Sequence, residues 1–102
     1  MSNLRVFIKK PKQKGYEKII EDTNLAFEKE IGQNTVINSF ILDNIAIFTS
    51  VNIDGFPSLG EYNCTIGDLP FYGTLIFTGN DLLGNIINLT DEQVTLLKNK
   101  LS

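Results

Sequence analysis

Histidine and tryptophan are absent from this chain of 102 residues, and cysteine and arginine each occur once. Without histidine, the chain lacks the commonest general base and the commonest zinc ligand. A lone cysteine, Cys64, excludes an internal disulfide, the usual structural zinc spacings and a Cys–His nucleophile pair. We therefore expect no metal, no cofactor and no catalytic centre of these kinds.

Motifs that cradle phosphates or pair carboxylates for catalysis are also missing. No G-x-x-x-x-G-K-S/T loop occurs, and no G-x-G-x-x-G follows a predicted strand. Neighbouring acids such as Glu21 and Asp22 fall at helix ends or on helix faces, where solvated surface is their ordinary role. The sequence therefore predicts a protein that is not an enzyme.

Positive charge is missing from most of the chain, because residues 30–97 contain neither lysine nor arginine. The cations near the start are Arg5, Lys9, Lys10, Lys12, Lys14 and Lys18. The net charge of −3 thus combines a basic N-terminal segment with an acidic body. Such an asymmetry bears on partners rather than on fold.

Long apolar runs are missing as well, and none approaches the ~18 residues that a membrane helix needs, so we expect no membrane contact. The first residues contain no apolar signal core, and a single cysteine suits a reducing compartment, which together favour the cytoplasm. The apolar share of 42% and the charged share of 21% are typical of one globular domain, covering residues 1–102.

The first third of the chain predicts two strands and a helix. Apolar residues alternate over residues 4–8, a proline ends that strand, and alternation resumes over residues 16–20. Asp22 or Thr23 then caps a helix, and Gly32 is suited to end it.

The middle of the chain predicts antiparallel strands joined by tight turns. Two apolar runs, 36–42 and 45–51, flank two turn-forming residues and predict a hairpin. An Asp-Gly turn at 54–55 repeats the device before a returning segment at 56–59, and residues 71–78 predict the last strand. Because the same turn chemistry occurs twice, the pattern favours a meander over βαβ crossovers.

A capping box from Thr90 to Gln93 predicts a C-terminal helix, since an apolar stripe follows it at helical spacing. Residues 80–89 are too apolar for a free loop, and we expect them to dock on the core or on a neighbouring subunit. The predicted fold class is α+β: a single, mainly antiparallel sheet of about four to five strands, with two helices packed on one face.

Two groups of residues are candidates for binding. The lysines of residues 9–14 could contact phosphates, although a solvated turn explains them equally well. Duplex nucleic acid is disfavoured as a partner, because Arg5 is the only arginine and the body is acidic. Four aromatic residues flank loops rich in glycine and proline and form either a stacking or protein-binding patch or simple loop anchors: Phe56, Tyr62, Phe71 and Tyr72.

The order of these motifs resembles the domain of unknown function 3846 family, whose members are short proteins of phages and other mobile elements. The matching features are the Lys10-Pro11 break, Asp22-Thr23 before a helix ending at Ile31-Gly32, Asp43, the turn at 52–55, and the segments 73–79 and 89–93. Asn63 matches an asparagine of the family pattern, whereas Cys64 stands where that pattern has arginine. The resemblance implies no established active site.

Small proteins of mobile elements commonly act by binding, and this resemblance implies a counter-defence role in the cytoplasm of a bacterial host. The most concrete hypothesis is an oligomeric sponge for a small nucleotide signal, with its pocket lined by the basic segment. In it, Arg5, Lys9 and Lys10 pair phosphates, Asn63 belongs to the ligand site, and Tyr62, Phe71 or Tyr72 stacks a base.

Two alternatives stay open at the level of sequence. The acidic body could cover the basic groove of a host nuclease or another defence protein by electrostatic complementarity. A structural or accessory role in the phage is the third reading, in which neither nucleotide nor host protein is bound.

Overall fold

The structure, a computed structural model, describes residues 3–31, 35–42, 44–50, 61–81 and 83–101, with the backbone alone at 35–42, 50 and 69. The elements are β1 (Asn3–Lys9), β2 (Tyr16–Glu21), α1 (Asn24–Ile31), β3 (Thr35–Leu42), β4 (Ile45–Ser50), β5 (Tyr62–Ile66), β6 (Leu69–Tyr72), β7 (Leu75–Asn80), β8 (Ile86–Ile87) and α2 (Asp91–Leu101).

The main sheet is built from two hairpins with a later strand between them. Its order is β2-β1-β7-β4-β3, every pairing is antiparallel, and β8 adds a short pairing to β7. Strands β5 and β6 form a separate two-stranded sheet. The predicted α+β class with a mainly antiparallel sheet is confirmed. The strand order differs from the predicted meander, because β7 lies between β1 and β4. The first five residues of β7 are buried, as suits an inner strand.

Both faces of the main sheet carry a core. One cluster comprises Phe7, Ile45, Ile47, Ile66, Phe71, Leu75, Phe77, Leu89, Val94, Leu97 and Leu101. The other comprises Leu4, Val6, Ile8, Ile20, Phe27, Ala46, Phe48 and Ile76. The first cluster includes α2 and the second includes α1, so the helices cover opposite faces and not the one shared face that we predicted. The physical reason is that the inner strands are apolar at successive positions, which leaves two faces to bury.

Both helices begin where the sequence predicts. At α1 the Ala26 amide donates to Thr23 Oγ1 at 3.2 Å, so Thr23 is the N-cap, and the Phe27 ring packs on Phe48 at a centroid distance of 4.6 Å. At α2 the amides of Thr90 and Gln93 each donate to the other residue's side-chain oxygen, at 2.9 and 3.1 Å. This reciprocal pair is the predicted capping box.

The stretch after residue 60 differs from the sequence prediction. The single strand predicted at 71–78 is divided at Gly73, whose φ of 73° turns the chain between β6 and β7. The hairpin of β5 and β6, which turns at Gly67 with φ 61°, was not predicted. In the apolar segment 80–89, Leu89 joins the core as expected, whereas Leu83 is 86% exposed.

Other predicted features lie outside the described residues, namely the helix end at Gly32, Asp43, the turn at 54–55 and the returning segment at 56–59. In the ranges that the structure does describe, none of the helices combines the length and the apolar character that crossing a membrane requires.

Candidate functional site

A cleft of about 500 Å³ opens between the β1–β2 turn and the start of β5. Its lining residues are Lys9, Lys12, Gln13, Lys14, Glu61, Tyr62, Asn63 and Leu101. The cleft therefore brings part of the basic segment against residues that lie fifty positions later in the chain. We call it the lysine cleft.

Lys9 is the most unusual residue of the lysine cleft, because it is a cation with only 7% of its surface exposed. Its Nζ donates to the Lys10 carbonyl oxygen at 2.9 Å, which is a neutral acceptor. Among the residues that the structure describes, no carboxylate lies within ion-pair distance of Lys9. Buried ammonium groups are ordinarily paired with an anion, whereas the acceptor of Lys9 among the described residues is neutral.

The Lys9 ammonium acts electrostatically on the Cys64 thiol. Burial raises the pKa of the Cys64 thiol above its ordinary value, and the Lys9 ammonium offsets part of that effect. The thiol is therefore protonated at neutral pH and is a weak nucleophile.

The β1–β2 turn holds two more cations at the mouth of the lysine cleft. Lys12 has a φ of 61°, a left-handed conformation that is uncommon for residues other than glycine. Its Nζ lies 2.8 Å from Glu61 Oε1, and this hydrogen bond raises the pKa of Lys12. Lys14 is exposed, and within the described ranges it forms no ion pair.

Asn63 forms the inner wall of the lysine cleft and is 9% exposed. Its Nδ2 donates to the carbonyl oxygens of Lys9, at 2.8 Å, and Gly73, at 2.7 Å. The Asn63 side chain thereby ties β5 to the end of β1 and to the bend between β6 and β7. Its Oδ1 is buried and accepts no hydrogen bond from any group that the structure describes.

An aromatic pair adjoins the charged residues. Tyr62 is 51% exposed and lines the lysine cleft, and its ring meets the ring of Tyr72 edge-on at a centroid distance of 5.8 Å. Tyr62 Oη lies 2.6 Å from Thr65 Oγ1, which fixes the direction of the ring. A half-exposed ring beside lysines is a surface on which a flat ligand can stack.

Three of the residues predicted to bind ligand are not among the described residues that line the lysine cleft. Arg5 donates through Nε to Glu17 and through Nη1 to Asp91, at 2.8 and 2.7 Å, and these carboxylates raise its pKa. Its guanidinium therefore joins β1 to β2 and to the start of α2. Phe71 is 3% exposed within the core, so its ring offers no stacking face. Lys10 contributes its carbonyl oxygen to Lys9 and to the Gln13 amide.

The structure thus brings together Lys9, Tyr62 and Asn63 of the predicted site, with Tyr72 packed on Tyr62. Lys12 and Lys14 were part of the lysine run seen in the sequence, although they were not assigned to the ligand. Glu61 was missed, and no spacing or motif in the sequence places it in the cleft.

The described lining of the lysine cleft carries more positive than negative charge. In the portion of the chain that the structure covers, no group of three or more acidic or cysteine side chains is arranged to hold a metal ion. Three lysines face one carboxylate, Glu61, so the lining attracts anions.

No protein-family model, curated protein or solved structure matches this chain. The resemblance drawn from the order of its motifs therefore stays a prediction.

Proposed function

We propose that this protein binds a small anionic ligand with an aromatic ring, in its most concrete form a nucleotide, and holds it without converting it. The observation that carries the proposal is the buried Lys9, whose ammonium has, among the described residues, a neutral carbonyl as its hydrogen-bond acceptor. A phosphate in the lysine cleft would supply the missing counter-ion and make charge-assisted hydrogen bonds.

The shape of the lysine cleft also supports a nucleotide. Its volume of about 500 Å³ lies within the roughly 300–1,000 Å³ of small-molecule sites. In this proposal the phosphate lies among Lys9, Lys12 and Lys14 of the cleft lining. The base lies against the ring of Tyr62, which packs edge-on against the ring of Tyr72. Base–aromatic stacking and lysine–phosphate contacts are a common combination in nucleotide-binding surfaces.

The biological role that we propose is counter-defence, in which the protein sequesters a nucleotide signal of the bacterial host. This part rests on the family resemblance, and a sponge needs no catalytic group, in line with the chemistry of the lysine cleft. Arg5 and Phe71 are left out of the proposed ligand site because Arg5 is paired with two carboxylates and Phe71 is buried in the core, and Lys10 is left out because it is not among the described residues that line the cleft.

The proposal is tested by calorimetric titration with inorganic phosphate, adenosine, and a panel of mono-, cyclic mono- and cyclic dinucleotides. We expect at least one nucleotide to bind more tightly than either phosphate or adenosine, since both parts of the cleft are then used. Lys14→Gln should weaken that binding about tenfold, the value of one hydrogen bond to a charged group. Lys29→Gln, on the exposed side of α1, is the matched control and should bind as the native chain does.

Equal binding by the Lys14→Gln and Lys29→Gln variants would contradict the placement of the phosphate. Absence of nucleotide binding, together with a complex formed with a host nuclease, would overturn the sponge and favour the acidic inhibitor instead.

Two substitutions of Lys12 distinguish the effect of backbone strain from the effect of the lost positive charge. Lys12→Gly and Lys12→Ala both remove the cation, but only glycine adopts a φ of 61° without a steric penalty. We expect the glycine variant to be more stable than the alanine variant by about 1 kcal/mol in urea unfolding. We expect both to lose nucleotide affinity to the same degree.

Equal stability of the two variants would show that the turn does not hold residue 12 in the left-handed region. Unchanged affinity in both would remove Lys12 from the binding site.

A further inference from the structure

A second cavity lies on the other side of Leu101 from the lysine cleft. It has a volume of about 180 Å³ and opens between the α2 face of the main sheet, the β5–β6 hairpin and the last turn of α2. Leu101 lines both cavities. Six of the nine described residues that line the second cavity are apolar.

The floor of this cavity is formed by Ile45, Ile47 and Phe77, each of which is 1% exposed. Leu97 and Leu101 of α2 form one wall. A cavity of about 150 Å³ lined by leucine, isoleucine and phenylalanine is large enough to bind benzene. The volume therefore suits one aromatic ring or an aliphatic chain of similar size.

Among the described residues that line the cavity, Lys100 is the one cation. Lys100 is exposed, and it makes no ion pair with any carboxylate in the ranges that the structure describes. Thr65, which also lines the cavity, is bonded to Tyr62 through its hydroxyl. A ligand that enters the apolar floor would therefore place its polar end next to an ammonium group.

We propose that this cavity is a ligand site for a small apolar carboxylate, whose ring or short chain packs on Ile47 and Phe77 while its carboxylate pairs with Lys100. Among the described residues, Leu101 alone lines both this site and the lysine cleft, and Thr65 of this site is hydrogen-bonded to Tyr62 of the cleft. Burial of the ring supplies most of the affinity, because an exposed ion pair is worth little by itself.

The experiment is a titration of the full chain with benzoate and with benzyl alcohol, followed by the methyl signals of isoleucine and leucine in carbon-13 NMR spectra. Binding of benzoate should shift the methyl signals of Ile45, Ile47 and Leu97 and leave those of Ile8 and Ile76, which belong to the opposite core cluster, unmoved. Benzyl alcohol should move the same signals with a weaker affinity, since it lacks the charge.

Lys100→Gln should weaken benzoate binding about threefold, the range of an exposed ion pair, and leave benzyl alcohol unaffected. Lys98→Gln removes a charge from the same helix outside the cavity and serves as the control. Absence of methyl shifts, shifts that spread to Ile8 and Ile76, or equal affinity for the two ligands would each overturn the proposal.

Discussion

Replacing Gly15 with alanine is expected to lower the free energy of unfolding by about 2 to 3 kcal/mol, the cost of overpacking a well-filled core. A Cβ atom at Gly15 would lie 2.2 Å from Cε2 and 2.3 Å from Cζ of Phe7. The Phe7 ring is fully buried and meets the ring of Phe77 at 6.2 Å, so it has no free space into which to move. For a domain of this size the melting temperature should fall by about 10 to 20 °C.

The cause is tested by a double-mutant cycle measured in urea. Phe7→Leu alone should destabilise the protein, because it removes buried ring atoms. When combined with Gly15→Ala, the shorter side chain makes room for the new methyl group, and the double variant should be more stable than the sum of the single losses predicts. Strict additivity would show that the alanine methyl does not meet the Phe7 ring.

Replacing Asn63 with aspartate should cost about 3 kcal/mol or more at pH 7, as measured by urea unfolding. The asparagine amide donates to two carbonyl oxygens, of Lys9 and Gly73. A carboxylate at the same place has no proton to donate and faces the two acceptors at close range. The substitution therefore breaks two hydrogen bonds and buries a charge against them.

The pH dependence of Asn63→Asp has a defined sign. Burial and the two facing carbonyl oxygens raise the pKa of the new carboxyl in the folded state above its unfolded value of about 4, against the opposing attraction of the Lys9 ammonium in the same cleft. The destabilisation from charge is then fully present above the folded pKa and fades as the pH falls towards the unfolded pKa. The loss relative to the native chain should be smaller at pH 4 than at pH 7.

Asn63→Ala is the matched control, because it removes the same two hydrogen bonds without adding a titratable group. Its loss relative to the native chain should show no such recovery at low pH. If the aspartate variant behaves like the alanine variant at both pH values, the carbonyl oxygens of Lys9 and Gly73 do not face residue 63.

Local signals in the sequence predict the local parts of this fold well. The capping box at Thr90, the N-cap at Thr23 and the hairpin predicted from the runs 36–42 and 45–51 depend on residues a few positions apart, and the structure confirms each of them. Such contacts are set by side-chain chemistry within one turn or one hairpin, which a single sequence displays directly.

Contacts between segments that are far apart in the chain could not be predicted from the sequence. The position of β7 between two hairpins and the division of the core between two faces depend on which apolar runs meet, and many pairings satisfy the same pattern. The run at 45–48 is apolar at four successive positions, which is the signal that both faces are buried. The hairpin of β5 and β6 turns at Gly67-Asp68, a turn signal that was present and not used.

The candidate site shows the same division. The lysine run was visible, but the sequence does not show which cations find partners within the chain. Arg5 pairs with Glu17 because of the register between β1 and β2. Glu17 lies opposite Phe7, and Arg5, two residues before Phe7, is the diagonal neighbour of Glu17 on the same face of the sheet. Lys9 is buried at the end of β1, where Asn63 of β5 donates to its carbonyl oxygen, and no sequence signal links these two distant positions.

The most direct test of a holding role is mass spectrometry of the small molecules that heat releases from the native protein after purification from bacterial cells. We predict that a compound with both a negative charge and an aromatic base is enriched over an unrelated control protein. It should be depleted from the Lys14→Gln variant and recovered with its mass unchanged after prolonged incubation. Release of no such compound, or recovery of a chemically altered one, would contradict the account.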